Sequence, residues 1–72
     1  MTRITEIERF DVRDKNGSIY TVIRYQEWAG STKTYQSLKM LTGKGVQADD
    51  NDPDLFYLPI GFVDPWEPVR RV

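Results

Sequence analysis

The dipeptide Asn16-Gly17 separates two runs rich in β-branched and aromatic residues, Thr5 to Arg13 and Ser18 to Trp28. No other feature limits the fold so firmly. Asn and Gly accept the positive φ values of a two-residue type I′ turn, whose twist matches that of the strands it joins, so the segment reads as a β-hairpin. With a two-residue loop, Asp14 pairs with Ile19, Val12 with Thr21 and Phe10 with Ile23. Phe10, Val12, Ile19, Ile23 and Tyr25 then share one face, the expected core. A four-residue loop keeps those faces, whereas a three-residue loop turns one strand over relative to the other. The hydrophobic sorting favours the even lengths.

Further turns divide the rest of the chain. Trp28-Ala29-Gly30-Ser31 supplies a second loop, after which Thr32 to Leu41 returns as a third strand, with a short helix as the competing assignment. Gly43-Lys44-Gly45 breaks the chain again, and Val46-Gln47-Ala48 adds a short strand before the acidic loop Asp49 to Asp54. Leu55 to Ile60 is the most apolar stretch and suits a strand covered on both sides, with Pro59 confined to an edge, a bulge or a strand end. Pro65 and Pro68 around Trp66 argue against a helix and for an extended C-terminal tail laid over the domain. The expected fold is mainly β, one domain over residues 1–72. It is a small, strongly curved antiparallel sheet of four or five strands closing towards a barrel.

Composition narrows the chemistry. With 72 residues, the chain buries only ~60% of its unfolded surface, and having no cysteine it lacks disulfides and thiolate metal sites. It also has no histidine, the commonest general base and transition-metal ligand. No catalytic constellation is recognisable, and the expectation is a non-enzymatic protein without cofactor or metal. Ten Lys and Arg against eleven Asp and Glu give a net charge of −1, so whole-chain charge does not draw the protein to nucleic acid. Neither a signal-peptide pattern at Met1 to Phe10 nor a run of ~20 apolar residues is present, which suggests a cytoplasmic protein.

Several motifs invite a sharper reading. Asp50, Asp52 and Asp54 alternate like the start of a calcium loop, but the positions that require Gly and Glu hold Leu55 and Gly61, so a solvated loop is the better account. Gly43-Lys44-Gly45 lacks the spacing and the Lys-Ser or Lys-Thr pair of a phosphate loop. Asn16-Gly17-Ser18 fits a glycosylation acceptor, which matters only in a secreted protein. In the two-residue register the face opposite the core carries Arg9, Asp11, Arg13, Tyr20, Val22 and Arg24. Guanidinium groups beside a ring can bind single-stranded nucleic acid or an acidic partner. An outer sheet face is polar in any case, and Arg9 opposite Arg24 is unfavourable. The aromatic residues exceed what a thin core hides, and Phe62 with Trp66 is the expected exposed pair.

The pattern Tyr20-Thr21-Val22-Ile23, Tyr25-Gln26-Glu27, Leu38-Lys39, Leu41-Thr42 and Gly45 resembles small uncharacterised bacterial proteins. That resemblance implies a bacterial or phage origin and brings no activity or cofactor. The leading expectation is a protein-interaction module that binds a protein partner or a second copy of itself. The alternative is a small single-stranded nucleic-acid-binding protein using Arg9, Arg13, Tyr20 and Arg24.

Overall fold

A computed structural model describes residues 2–61 and 65–72. Six strands form one antiparallel sheet: β1 (Thr2–Arg13), β2 (Ile19–Ala29), β3 (Thr32–Met40), β4 (Gln47–Ala48), β5 (Leu55–Pro59) and β6 (Trp66–Arg71). Their order is β3-β2-β1-β6-β5-β4. The ring nearly closes where the chain leaving β3 folds back along it. There the Met40 N–H donates to Lys44 O at 2.8 Å, the Val46 N–H donates to Leu38 O at 2.9 Å, and Lys39 bridges Gly45. The result is a small barrel-like sheet with more strands than expected, because the C-terminal segment is not a tail lying across the sheet. It is β6, inserted between β1 and β5.

The first hairpin turn sets the register. Gly17 N–H donates to Asp14 O at 3.1 Å and Asp14 N–H to Ser18 O at 3.0 Å, leaving three residues in the loop. Gly17, at φ +85°, occupies the left-handed position that ends such a loop. The Asp14 carboxylate reinforces it by accepting the N–H groups of Asn16 and Ser18, both at 2.9 Å. An odd loop turns β2 over relative to the two-residue register. Arg13 therefore pairs with Ile19, Val12 with Tyr20 and Phe10 with Val22.

The core follows from that register. Phe10, Val12, Val22, Phe56, Leu58 and Val69 are buried together, with Tyr20, Leu38, Met40, Val46 and Ile60 packed against them. Phe10 and Val12 lie in the core as expected, but Tyr20 and Val22 replace Ile19, Ile23 and Tyr25 on the inner face. Ile19 is 49% exposed, and Ile23 is buried on the outer face between its ladder partners Arg9 and Lys39. Thr32 to Met40 is strand, not helix. Pro59 ends β5, where its missing N–H interrupts no further pairing. No helix among the described residues is long and apolar enough to cross a membrane.

The molecule is elongated, 42 × 21 × 20 Å. Its long dimension is that of β1, whose 12 residues extend about 40 Å at the usual strand rise. Only the second half of β1 borders the core, because β6 meets it at Val12 and Arg13 alone. The first half, with the end of β2 and the start of β3, continues beyond the barrel as a three-stranded arm. Its tip is the Gly30-Ser31 turn between the paired Ala29 and Thr32, with Gly30 at φ +64°.

Candidate functional site

Two bulges shape the arm. Between Glu6 and Glu8, which pair with the consecutive residues Tyr25 and Arg24, Ile7 is an extra residue on β1. Between Gln26 and Trp28, β3 places Tyr35 and Thr34 against the single residue Glu27. An extra residue reverses which side chains face inward and strengthens the local twist. Above its bulge, β1 presents Arg3 and Thr5 to the barrel side of the sheet and turns Ile4 outward.

Along the barrel side the residue chemistry changes from apolar to polar. Next to Phe10 and Val22 come Glu8 and Arg24, paired at 3.1 Å, with Arg71 of β6 closing on Glu8 at 2.9 Å. The Arg71 guanidinium also lies 4.4 Å from the Phe10 ring centroid, capping that end of the core. Above them Gln26, only 4% exposed, accepts from Gln36 Nε2 at 3.2 Å and donates to Glu27 O at 2.9 Å and Tyr35 O at 3.3 Å. Its amide is thus satisfied on both sides. Trp28 comes last, its indole N–H donating to Thr5 Oγ1 at 3.0 Å, with Arg3 and Lys33 over its ring at 5.2 and 5.6 Å.

The opposite side of the arm is apolar and exposed. Ile4 is 57% and Tyr35 60% exposed, on either side of Glu27 across the ladder, with half-buried Tyr25 two residues along β2 and Ile7, 48% exposed, at the bulge. Glu6 and Glu27 punctuate this surface. Glu6 is paired with Arg9 at 2.8 Å, and the Glu27 carboxylate holds the Tyr35 phenol protonated above the usual tyrosine range. Glu8 is displaced the other way: the Arg71 guanidinium first, and Arg24 second, hold its carboxyl below the usual glutamate range. Beyond the ladder residues near Val12, no described strand pairs with the outer edge of β1 from Thr2 to Phe10.

The residues expected to form a basic hairpin face do not share one. Arg9 and Arg13 lie on the outer side, whereas Tyr20 and Arg24 lie on the inner side. Arg9 faces Ile23 and holds Glu6, so the feared Arg9–Arg24 repulsion does not arise; Arg24 faces Glu8. Tyr20 packs against the core. Trp66 pairs with Pro59 at the start of β6 and is 36% exposed. Phe62 lies outside the described residues. The exposed group at Ile4, Ile7 and Tyr35 escaped sequence reasoning because alternation alone assigns Ile4 to the same side as Phe10; Ile7, one residue out of step, was the signal of a bulge.

The acidic loop is held by its own turns. Asp49 accepts the N–H groups of Asn51 and Asp52 and the Tyr57 hydroxyl, which together lower its carboxyl below the usual aspartate range. Among the described residues no cluster of carboxylates is placed to hold a metal ion. No protein-family model matches this chain, and no curated protein or solved structure is significantly similar to it.

Proposed function

We propose that this protein is a protein-interaction module whose arm is the binding element. The observation that carries this reading is the outward side of the arm, where Ile4, Ile7 and Tyr35 are about half exposed or more on a sheet that projects past the core. Exposed apolar residues gathered on one rigid element mark an interface, whereas scattered ones do not. The face, and not the strand edge, is the docking surface. The two outer strands each carry a bulge, and bulged edges resist regular strand addition. The complementary partner surface is apolar, since Glu6 is held by Arg9 and Glu27 by the Tyr35 hydroxyl.

The nucleic-acid alternative loses its support, since the register divides Arg9 and Arg13 from Tyr20 and Arg24 and commits Arg9 and Arg24 to carboxylates. The test of the proposal is a paired measurement on the parent protein and an Ile4→Ser, Tyr35→Ser double variant. Each is used to capture partners, and the captured protein is then titrated against isotopically labelled protein. Amide shifts at Ile4, Tyr25 and Tyr35 that vanish in the variant support the assignment. A partner that binds both proteins equally overturns it, and association of the parent alone with itself identifies the partner as a second copy.

A further inference from the structure

The end of the barrel away from the arm holds a second feature. One row of ladder partners crosses four strands there: Ile19 on β2 pairs with Arg13 on β1, Arg13 with Arg70 on β6, and Arg70 with Leu55 on β5. The chain neighbours Val12 and Val69 are fully buried, so Arg13 and Arg70 point outward together. Directly opposed residues of an antiparallel pair have Cβ atoms only about 5 Å apart, and like charges there repel. The two guanidiniums border a groove of about 570 Å³ that Lys15, Leu55 and Pro68 also line.

Among the described residues, one side-chain carboxylate lines that groove. Asp14, which carries it, is turned into the hairpin loop to accept two backbone N–H groups. Arg70 meets Asp52 through a single nitrogen at 2.8 Å, which leaves the rest of its fork open. Among the described residues neither Arg13 nor Lys15 has an ion pair. Two arginines set side by side, one without a carboxylate and the other held through a single nitrogen, leave guanidinium donors for an anion from elsewhere.

We infer that this groove binds an acidic peptide segment of a partner protein. A carboxylate placed between Arg13 and Arg70 takes parallel N–H donors from both forks, and Lys15 approaches as a point charge from the turn. An aliphatic residue next to that carboxylate lies against Leu55 and Pro68. These apolar walls favour a peptide over inorganic phosphate, and the net charge of −1 disfavours an extended nucleic acid. The site is independent of the arm, which occupies the opposite end of the molecule.

An acetylated, amidated hexapeptide of alternating Asp and Leu, titrated into labelled protein at low salt, tests the inference. The amides of Arg13, Lys15 and Arg70 shift together and return on adding salt. In Arg13→Gln the binding weakens about tenfold, while the variant melts no lower than the parent because the opposed charges are gone. Lys15→Gln, in the exposed turn, weakens binding roughly threefold, and Ile4→Ser leaves it unchanged. The inference fails if those amides do not move in excess peptide, or if Arg13→Gln binds like the parent. It also fails if a mixed-sequence single-stranded oligonucleotide moves the same amides at lower concentration than the peptide.

Discussion

The barrel and the arm share β1, β2 and β3, yet they are stabilised differently. In the barrel, β1 and β2 face β5 and β6 across a shared interior, and Phe10, Val12 and Val22 are buried against Phe56, Leu58 and Val69. A few residues further along the same strands the opposite layer ends, its last contact being Arg71 of β6 on Glu8. There the inward positions hold Glu8, Arg24, Gln26 and Gln36 in place of aliphatic groups. Strand pairing continues unbroken apart from the bulges, so it is not the ladder that separates the two regions. A sheet becomes a core only where a second layer covers it, and the side chains change type where that layer ends.

The contrast is sharpest in the cost of side-chain deletion. Phe10 is 7% exposed and its ring centroid lies 5.2 Å from that of Phe56. Phe10→Ala is expected to cost about 3 to 5 kcal/mol, read from urea melts, whereas Ile4→Ala in the arm stays within about 0.5 kcal/mol. Equal losses would mean that the arm is as much a packed core as the barrel. Gln26 stands at the boundary, and Gln26→Ala removes the partner of the exposed Gln36 amide and of Tyr35 O, while Glu27 O keeps the Thr34 hydroxyl, an expected loss of about 1 kcal/mol. A neutral result would show that water replaces that network freely.

Smaller effects probe the turn and the junction. Gly17→Ala forces a Cβ into the left-handed region and should destabilise by about 1 kcal/mol, with no change in the arm's chemical shifts. At the junction, Glu8 joins β1 to Arg71 of β6 and Arg24 of β2. Because its carboxyl is held below the usual glutamate range, its contribution is complete above that range and fades as the pH falls through the lowered folded value. A denaturation midpoint that declines more steeply with acid in the parent than in Glu8→Gln is the expected outcome. Parallel pH profiles would show that the pairs at this exposed junction contribute nothing measurable.

Much of the sheet was legible in residue order. Asn16-Gly17 marks a hairpin, the β-branched and aromatic runs mark β1 and β2, and Pro59 marks a strand end. The register was harder to read, since Asn-Gly serves both a two-residue turn and the last two places of a three-residue loop. What decides between them is the backbone bond from Asp14 to Ser18, supported by the Asp14 carboxylate. Charge offered a local hint: one register sets Arg24 against Arg9, the other against Glu8. The groove at the turn end was half visible, with Arg13 already a candidate. Its partner Arg70 lies far along the chain, and only strand order brings the two together.

The two bulges also act on folding fidelity. Each is a dislocation in an otherwise regular lattice, one on either flank of the unbroken strand β2. A ribbon that tries to slide by one residue must move its extra residue through the ladder, so misalignment beginning at the Gly30-Ser31 tip is arrested before it reaches the barrel. The arm can therefore accumulate changes in length or sequence at its tip while the alignment of Phe10 with Val22 is preserved.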